Sequence, residues 1–241
     1  MSFTYQGVHK SLVGFLAEGV VSKDGRGYAL SKPWLEAQGR WLSDTKKQYS
    51  GGSPPRLSSL LPNSSVMHNF RGVISVPYWV LDNIADSITP KDVVVEHWFF
   101  AWPAQMVSEE QHRQVKKFAE CAGKFVLCRG NSPGDLHCLE YLAKAIGVKY
   151  IAGAQVAGDC DVIAFRDFVI NIYWPSSHKQ KMRKAFSSPS IASSMQEVYD
   201  YVFFGEGSQM QVPVVITRNA EMAKQIIRET LALFEKKKVK D

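Results

Sequence analysis

The stretch KFVLCRGNSPGDLHCLEYLAKAIGVKYIA, residues 124–152, decides the fold class. Its apolar opening run predicts a strand over Lys124–Arg129. A helix follows over Pro133–Ile146, then a second strand over Val148–Ala152. Ser132-Pro133-Gly134-Asp135 marks the helix start: proline is harmless at the first helical position, where an N–H would lack a partner anyway. The aspartate sits near the positive end of the helix. Strand, helix and strand in succession form the unit from which α/β layers are built.

The same alternation extends in both directions. Strands are expected at Asp92–Phe100, Asp161–Phe165, Phe168–Tyr173 and Val212–Thr217. Helices are expected at Pro77–Ser87, Glu109–Ala122, His178–Phe186, Pro189–Phe204 and Ala220–Lys236. Ser108-Glu109-Glu110-Gln111 reads as a capping box, and Ile191, Met195, Val198 and Val202 form one buried stripe. The expectation is an α/β fold with a largely parallel sheet, interrupted by a hairpin around Arg166-Asp167.

Composition narrows the class. The chain has 241 residues, 45% of them apolar and 22% charged, as in a soluble globular protein. Its apolar runs are far shorter than the roughly 20 residues of a bilayer span. The opening MSFTYQGVHKSLVGF lacks the pattern of a secretory signal, so a cytoplasmic protein is expected. Cys121, Cys128, Cys138 and Cys160 lack close CxxC pairs, which points to buried reduced thiols and to no metal.

Charge and punctuation divide the chain. The formal net charge is +6, and residues 1–56 hold eight basic against four acidic side chains, while KKKVKD closes the sequence. Basic ends beside a neutral body suit contact with a polyanion. SDTKKQYSGGSPPRLSSLLPNSS, residues 43–65, is rich in serine, glycine and proline. Three parts are therefore expected: residues 1–43, a linker over 44–65 and a body over 66–241. Leu57, Leu60 and Leu61 are expected to anchor the linker's end on the body.

In the first part, Val8, Leu12, Phe15 and Leu16 share one helix face, and Gly19 supplies a left-handed stop. Asp24-Gly25 turns a hairpin between Val20-Val21 and Tyr28-Leu30. Ser31 and Pro33 open a second helix, in which the repeats Trp34/Trp41 and Leu35/Leu42 suit a core or a subunit seam. The run Thr4–Leu30 resembles the recognition helix and wing of winged-helix transcription regulators, carried by Leu12, Glu18, Gly19, Val20, Val21, Gly27, Tyr28 and Leu30. The two helices that precede the recognition helix in that family have no counterpart in Met1-Ser2-Phe3, so a partial winged helix is expected. The resemblance implies contact with double-stranded DNA through Thr4, Tyr5, Gln6, His9 and Lys10 on the helix, and through Lys23 and Arg26 on the hairpin.

The body resembles the phospholipase D-like effector domains of archaeal TrmB-type regulators. The likeness lies in VKYIAG, DCDVIAFRDFVINIYW and PVVITRNAEMAKQIIRETLALF. Active phospholipases of that superfamily carry H-x-K; here His178-Lys179-Gln180 departs from it, so no catalytic residue is expected. Asp161 with Asn171-Ile172-Tyr173 similarly lacks the second acid and the lysine of PD-(D/E)xK nucleases. Gly130 to Gly134 leads into a helix start but without nucleotide-loop spacing. Glu96, His97 and Trp98, with Asp161, are the candidate lining of a small-molecule site at a strand end.

The expected protein is thus a homodimeric regulator, archaeal in type, needing no cofactor, with an α/β body that senses a small-molecule effector. The alternatives are a nuclease-like or other enzyme built on the body, or a protein-interaction module without DNA binding.

Overall fold

The computed structural model of the chain describes residues 5–25, 27–38, 54–102, 109–118 and 120–238. It separates into two compact units, Met1–Gly52 and Ser53–Asp241, which are described one at a time.

The first unit runs helix α1 (Tyr5–Ala17), strands β1 (Val21–Asp24) and β2 (Gly27–Leu30), and a helix α2 over residues 32–38. Gly19, at φ 70°, ends α1. Its N–H donates to the Leu16 carbonyl at 3.1 Å, and the Val20 N–H reaches the Phe15 carbonyl at 2.9 Å. These two bonds are the Schellman closure that a glycine at this position permits. The hairpin pairs Val21 with Leu30 through to Asp24 with Gly27. Ser31 joins hairpin to helix: its N–H donates to the Val20 carbonyl at 2.9 Å, and its Oγ accepts from the Trp34 N–H at 3.5 Å. None of the unit's described hydrophobic side chains is buried, and Val13, Phe15 and Leu30 are each about half exposed. A helix and a hairpin enclose too little surface for a core. Trp41 and Leu42 lie outside the described residues.

The second unit opens with a turn of 3-10 helix, Leu57–Ser59, inside the segment expected as a linker. Leu57 and Leu60 are buried, and the Arg218 guanidinium donates to the Leu60 carbonyl at 2.7 Å. Leu61 corrects the expectation: at 73% exposure it faces solvent and anchors nothing. Strand β3 (Ser64–Arg71) then begins, followed by α3 (Ser75–Ala85), β4 (Val93–Trp98), α4 (Glu109–Phe118), β5 (Gly123–Cys128) and α5 (Pro133–Ile146). Next come β6 (Lys149–Ala152), β7 (Asp161–Phe165), β8 (Phe168–Ile172), α6 (Ser176–Phe186), α7 (Ile191–Tyr199), β9 (Gln211–Arg218) and α8 (Ala220–Lys238).

The strands form one seven-stranded sheet in the order β3-β9-β8-β7-β4-β5-β6. Only β4, β5 and β6 run parallel; every other pair is antiparallel. The expectation of a largely parallel sheet is therefore corrected. Parallel pairing needs a crossover of about a dozen residues or more, usually helical. The loop between Ala152 and Asp161 carries no helix, so the chain turns back at the same sheet end and β7 must run against β4. The hairpin at Arg166-Asp167 reverses it again, with Arg166 at φ 52°. Strand β3 is an element that composition conceals, because its serine-rich start merges with the linker.

Helix α5 carries the complete version of its predicted start. Ser132 Oγ accepts from the Asp135 N–H, and the Asp135 carboxylate accepts from the Ser132 N–H at 3.1 Å. The capping box expected at Ser108 falls outside the described residues.

Alternation along β4 splits the sheet into two faces. Val94, Glu96 and Trp98 point toward α3, α5, α6 and α7, into the main core around Phe165, Phe186, Leu139 and Ile172. Val95 points the other way, into a smaller cluster with Ala164, Val169 and Ala223 beneath α8. Cys121, Cys128 and Cys138 are buried free thiols, and Cys160, also free, is partly exposed. Among the described residues, no helix is long and apolar enough to cross a membrane.

Candidate functional site

Three places hold the residues singled out from the sequence. On the first unit, His9 and Lys10 project as exposed side chains from α1, and Lys23 is exposed on β1. Tyr5 and Gln6 belong to the first turn of α1. Thr4 and Arg26 lie outside the described residues.

The second place is where the C-terminal ends of β4 and β5 meet the start of β7. Asp161 is buried there, accepting from the Phe99 N–H and from the Trp174 indole N–H, each at 2.7 Å. Burial pushes its carboxyl up to about 7, against the lowering effect of both hydrogen bonds and of Arg129 and Lys179. Asp135 makes a parallel clamp, accepting from the Ala101 N–H at 2.9 Å while it caps α5. The two carboxylates hold the 99–101 turn through its Phe99 and Ala101 N–H groups. On the outer side of that turn, the Arg129 guanidinium and the Lys179 ammonium each lie 4.0 Å from the Phe99 ring centre. Lys179 also donates to the Asp159 carboxylate at 2.7 Å, holding that acid below its usual range. Asp161 thus spends both oxygens on the fold, although the sequence placed it at a ligand-binding lip.

Gly130 leaves room for the Asp135 clamp. A Cβ at this position would strike both carboxylate oxygens of Asp135. Gly130→Ala is therefore expected to destabilise the body by about 2 kcal/mol. An unchanged urea midpoint would show that the carboxylate can shift without loss.

The third place is a cavity between the sheet and helices α3, α6 and α7. Its volume is ≈ 120 Å³. Val80, Leu81, Ile163, Ile172, Met182 and Phe203 line it, and its polar edges come from Glu96, Trp98, Trp102 and His178. Helix α7 widens into a π-helix over Asp200–Phe204, closed by the Gly205 N–H on the Asp200 carbonyl at 2.8 Å. The wider turn presents Val202 and Phe203 to the cavity and sets the Tyr201 hydroxyl 3.0 Å from His178 Nδ1. Burial holds His178 down to about 4, so its ring is neutral at ordinary pH.

Among the described residues, Glu96 is the one acid in this lining. Its strand partners are Val126 on β5 and Ile163 on β7, both apolar. Burial pushes its carboxyl up to about 7, and the nearby Asp161 charge adds to the rise. The Trp98 indole N–H lies close enough to oppose that rise, yet forms no hydrogen bond of normal geometry.

The structure therefore brings Glu96 and Trp98 together and sends His97 elsewhere. His97 Nε2 lies 2.8 Å from Thr230 Oγ1 on α8. Burial, and Arg129 after it, hold the ring down to about 4. Adjacent residues of a strand face opposite ways, so Glu96 and His97 cannot share one site. Trp102, His178 and the α7 residues carry no sequence motif that marks them as lining. The even spacing of Glu96 and Trp98 was the one available signal.

No family model matches the chain. No curated protein matches it either. Among solved structures, TrmBL2, an archaeal chromatin protein whose structure shows a novel mode of DNA binding, aligns at a TM-score of 0.37 and 11% identity, covering 95% of this chain and 80% of its own. The polyphosphate kinase of Porphyromonas gingivalis aligns at a TM-score of 0.40 and 10% identity. That likeness covers 76% of this chain and spans 25% of the kinase.

Proposed function

We propose that the chain is a DNA-binding regulator, in which the first unit contacts double-stranded DNA and the α/β body senses a small-molecule effector. One observation carries this reading: a helix, a tight hairpin and a second helix follow one another in a basic segment, with His9, Lys10 and Lys23 exposed on the first two. A helix of this kind fits the major groove, and lysine on a hairpin reaches neighbouring phosphates. Among its described residues the unit encloses no core, which favours a homodimer whose second copy covers the apolar side of α1 around Phe15 and Leu16. The reading places the protein in the cytoplasm, where DNA is accessible. Of residues 44–65, read from composition as a linker, only the part before the second unit begins at Ser53 would join the two parts.

A gel shift on duplex DNA tests the proposal. Retention is expected at about 50 mM salt and should fall steeply by about 200 mM, because binding releases counterions from the phosphates. Lys10→Ala and Lys23→Ala should each reduce the salt slope by about 1. Absence of retention at low salt, with a dimer present, overturns the reading.

A further inference from the structure

The cavity of the second unit combines an apolar wall with a single acid that has no counter-charge. Among the described residues, Glu96 enters no ion pair. The Arg129 and Lys179 cations gather instead at the Phe99 ring, outside the turn that Asp161 holds. A carboxylate on a central strand, flanked by Val126 and Ile163, gains nothing from the sheet around it.

We propose that this cavity binds an apolar small molecule ending in one basic nitrogen, with the nitrogen seated against Glu96 and the hydrocarbon against Leu81, Ile163 and Met182. The proposal names the chemical class of the effector and rests on the regulatory reading for its consequence at DNA. The chemistry of the lining excludes other classes. A sugar or nucleotide has many polar groups and would leave most of them unpaired against Val80, Ile172 and Phe203. A carboxylate ligand would meet a like charge at Glu96. A neutral alcohol would satisfy one hydrogen bond but leave the carboxylate without a cation. An ammonium supplies that cation, and Trp98 and Trp102 line the same cavity.

The test is a tryptophan-fluorescence titration of the full chain, without DNA, using octylamine, octanol and octanoate. Trp98 and Trp102 line the cavity and report on its occupant. Saturable octylamine binding is expected, with octanol about tenfold weaker and octanoate weaker still, the gap reflecting a charge-assisted bond. Glu96→Gln should bring octylamine down to the octanol level. Leu81→Trp, which adds bulk to the lining, should abolish both.

Equal binding of the three probes, or no saturable binding, overturns the proposal in the unmutated chain alone. Amine selectivity that survives Glu96→Gln overturns the role of the acid. The gel shift distinguishes this proposal from the reading it deepens. Amine binding without DNA retention keeps the site and removes the regulator. DNA retention without amine binding does the reverse.

Discussion

Asp161→Ala is expected to lower the stability of the α/β body by about 3 kcal/mol, because two buried donors lose their acceptor together. The Phe99 N–H and the Trp174 indole each donate to this carboxylate at 2.7 Å. In a unit of this size, that loss corresponds to a fall in Tm of roughly 6–12 °C. Asp161→Asn should lie between wild type and alanine: the amide oxygen keeps one bond, while its NH2 confronts the other donor. In a double-mutant cycle, Trp174→Phe and Asp161→Ala together should cost less than the sum of the two by about 1 kcal/mol. Strict additivity would mean that Trp174 and Asp161 do not support each other. A wild-type Tm for Asp161→Ala would mean that solvent already satisfies both donors.

Glu96→Gln should have an effect that depends on pH. The carboxyl moves from its usual 4.5 to about 7 in the fold. The folded chain therefore binds this proton more tightly than the unfolded chain does. Well below about pH 4.5 the group is neutral in both states and costs nothing; stability then falls as pH rises through about 7, and the buried charge is fully present only above that. A tenfold change in proton affinity is worth about 1.4 kcal/mol, so the ceiling is roughly 3 kcal/mol. Glutamine carries no charge to bury. The variant should approach wild type at about pH 4.5 and exceed it by about 2 kcal/mol at about pH 8. His97 and His178, both held down to about 4, shift stability in the opposite direction as pH rises from about 4 to 6.5. They act in both proteins, so the difference reads Glu96 together with its repulsion of Asp161, whose carboxyl is also pushed up to about 7. A difference that stays constant across this pH range would show that Glu96 is hydrated within the fold.

The two variants act on carboxyls with different roles. Asp161 is enclosed by donors and serves the backbone turn. Glu96 faces an apolar space and lacks an equivalent partner. Sequence treated them as one candidate site, since both are acids beside apolar strands. Only their hydrogen bonds tell them apart, and those come from Phe99 and Trp174, distant in the chain from Glu96 or Asp161 or both.

Where a local pattern carried the signal, the sequence was readable. The caps of α5, the glycine stop of α1 and the hairpins at Asp24-Gly25 and Arg166-Asp167 are encoded within a few residues. They depend on backbone φ and on orphan N–H groups, which neighbouring side chains can satisfy. Strand alternation also carries the information that Glu96 and Trp98 share a face, although Glu96, His97 and Trp98 read from sequence as one candidate lining.

Sheet order and direction were not local properties. That β7 inserts beside β4, and runs against it, follows from a short helix-free loop and from which strands find apolar partners. The sequence by itself determined the alternation of elements from β4 onward, the ends marked by a cap or a turn, and the basic character of the first segment. Tertiary structure alone decided that Asp161 became a clamp, that His97 turned to α8, and that α3, α6 and α7 left a cavity around Glu96. The physical reason is range: caps and turns arise from neighbours along the chain, whereas burial and hydrogen-bond partners arise from residues that meet only when the sheet closes.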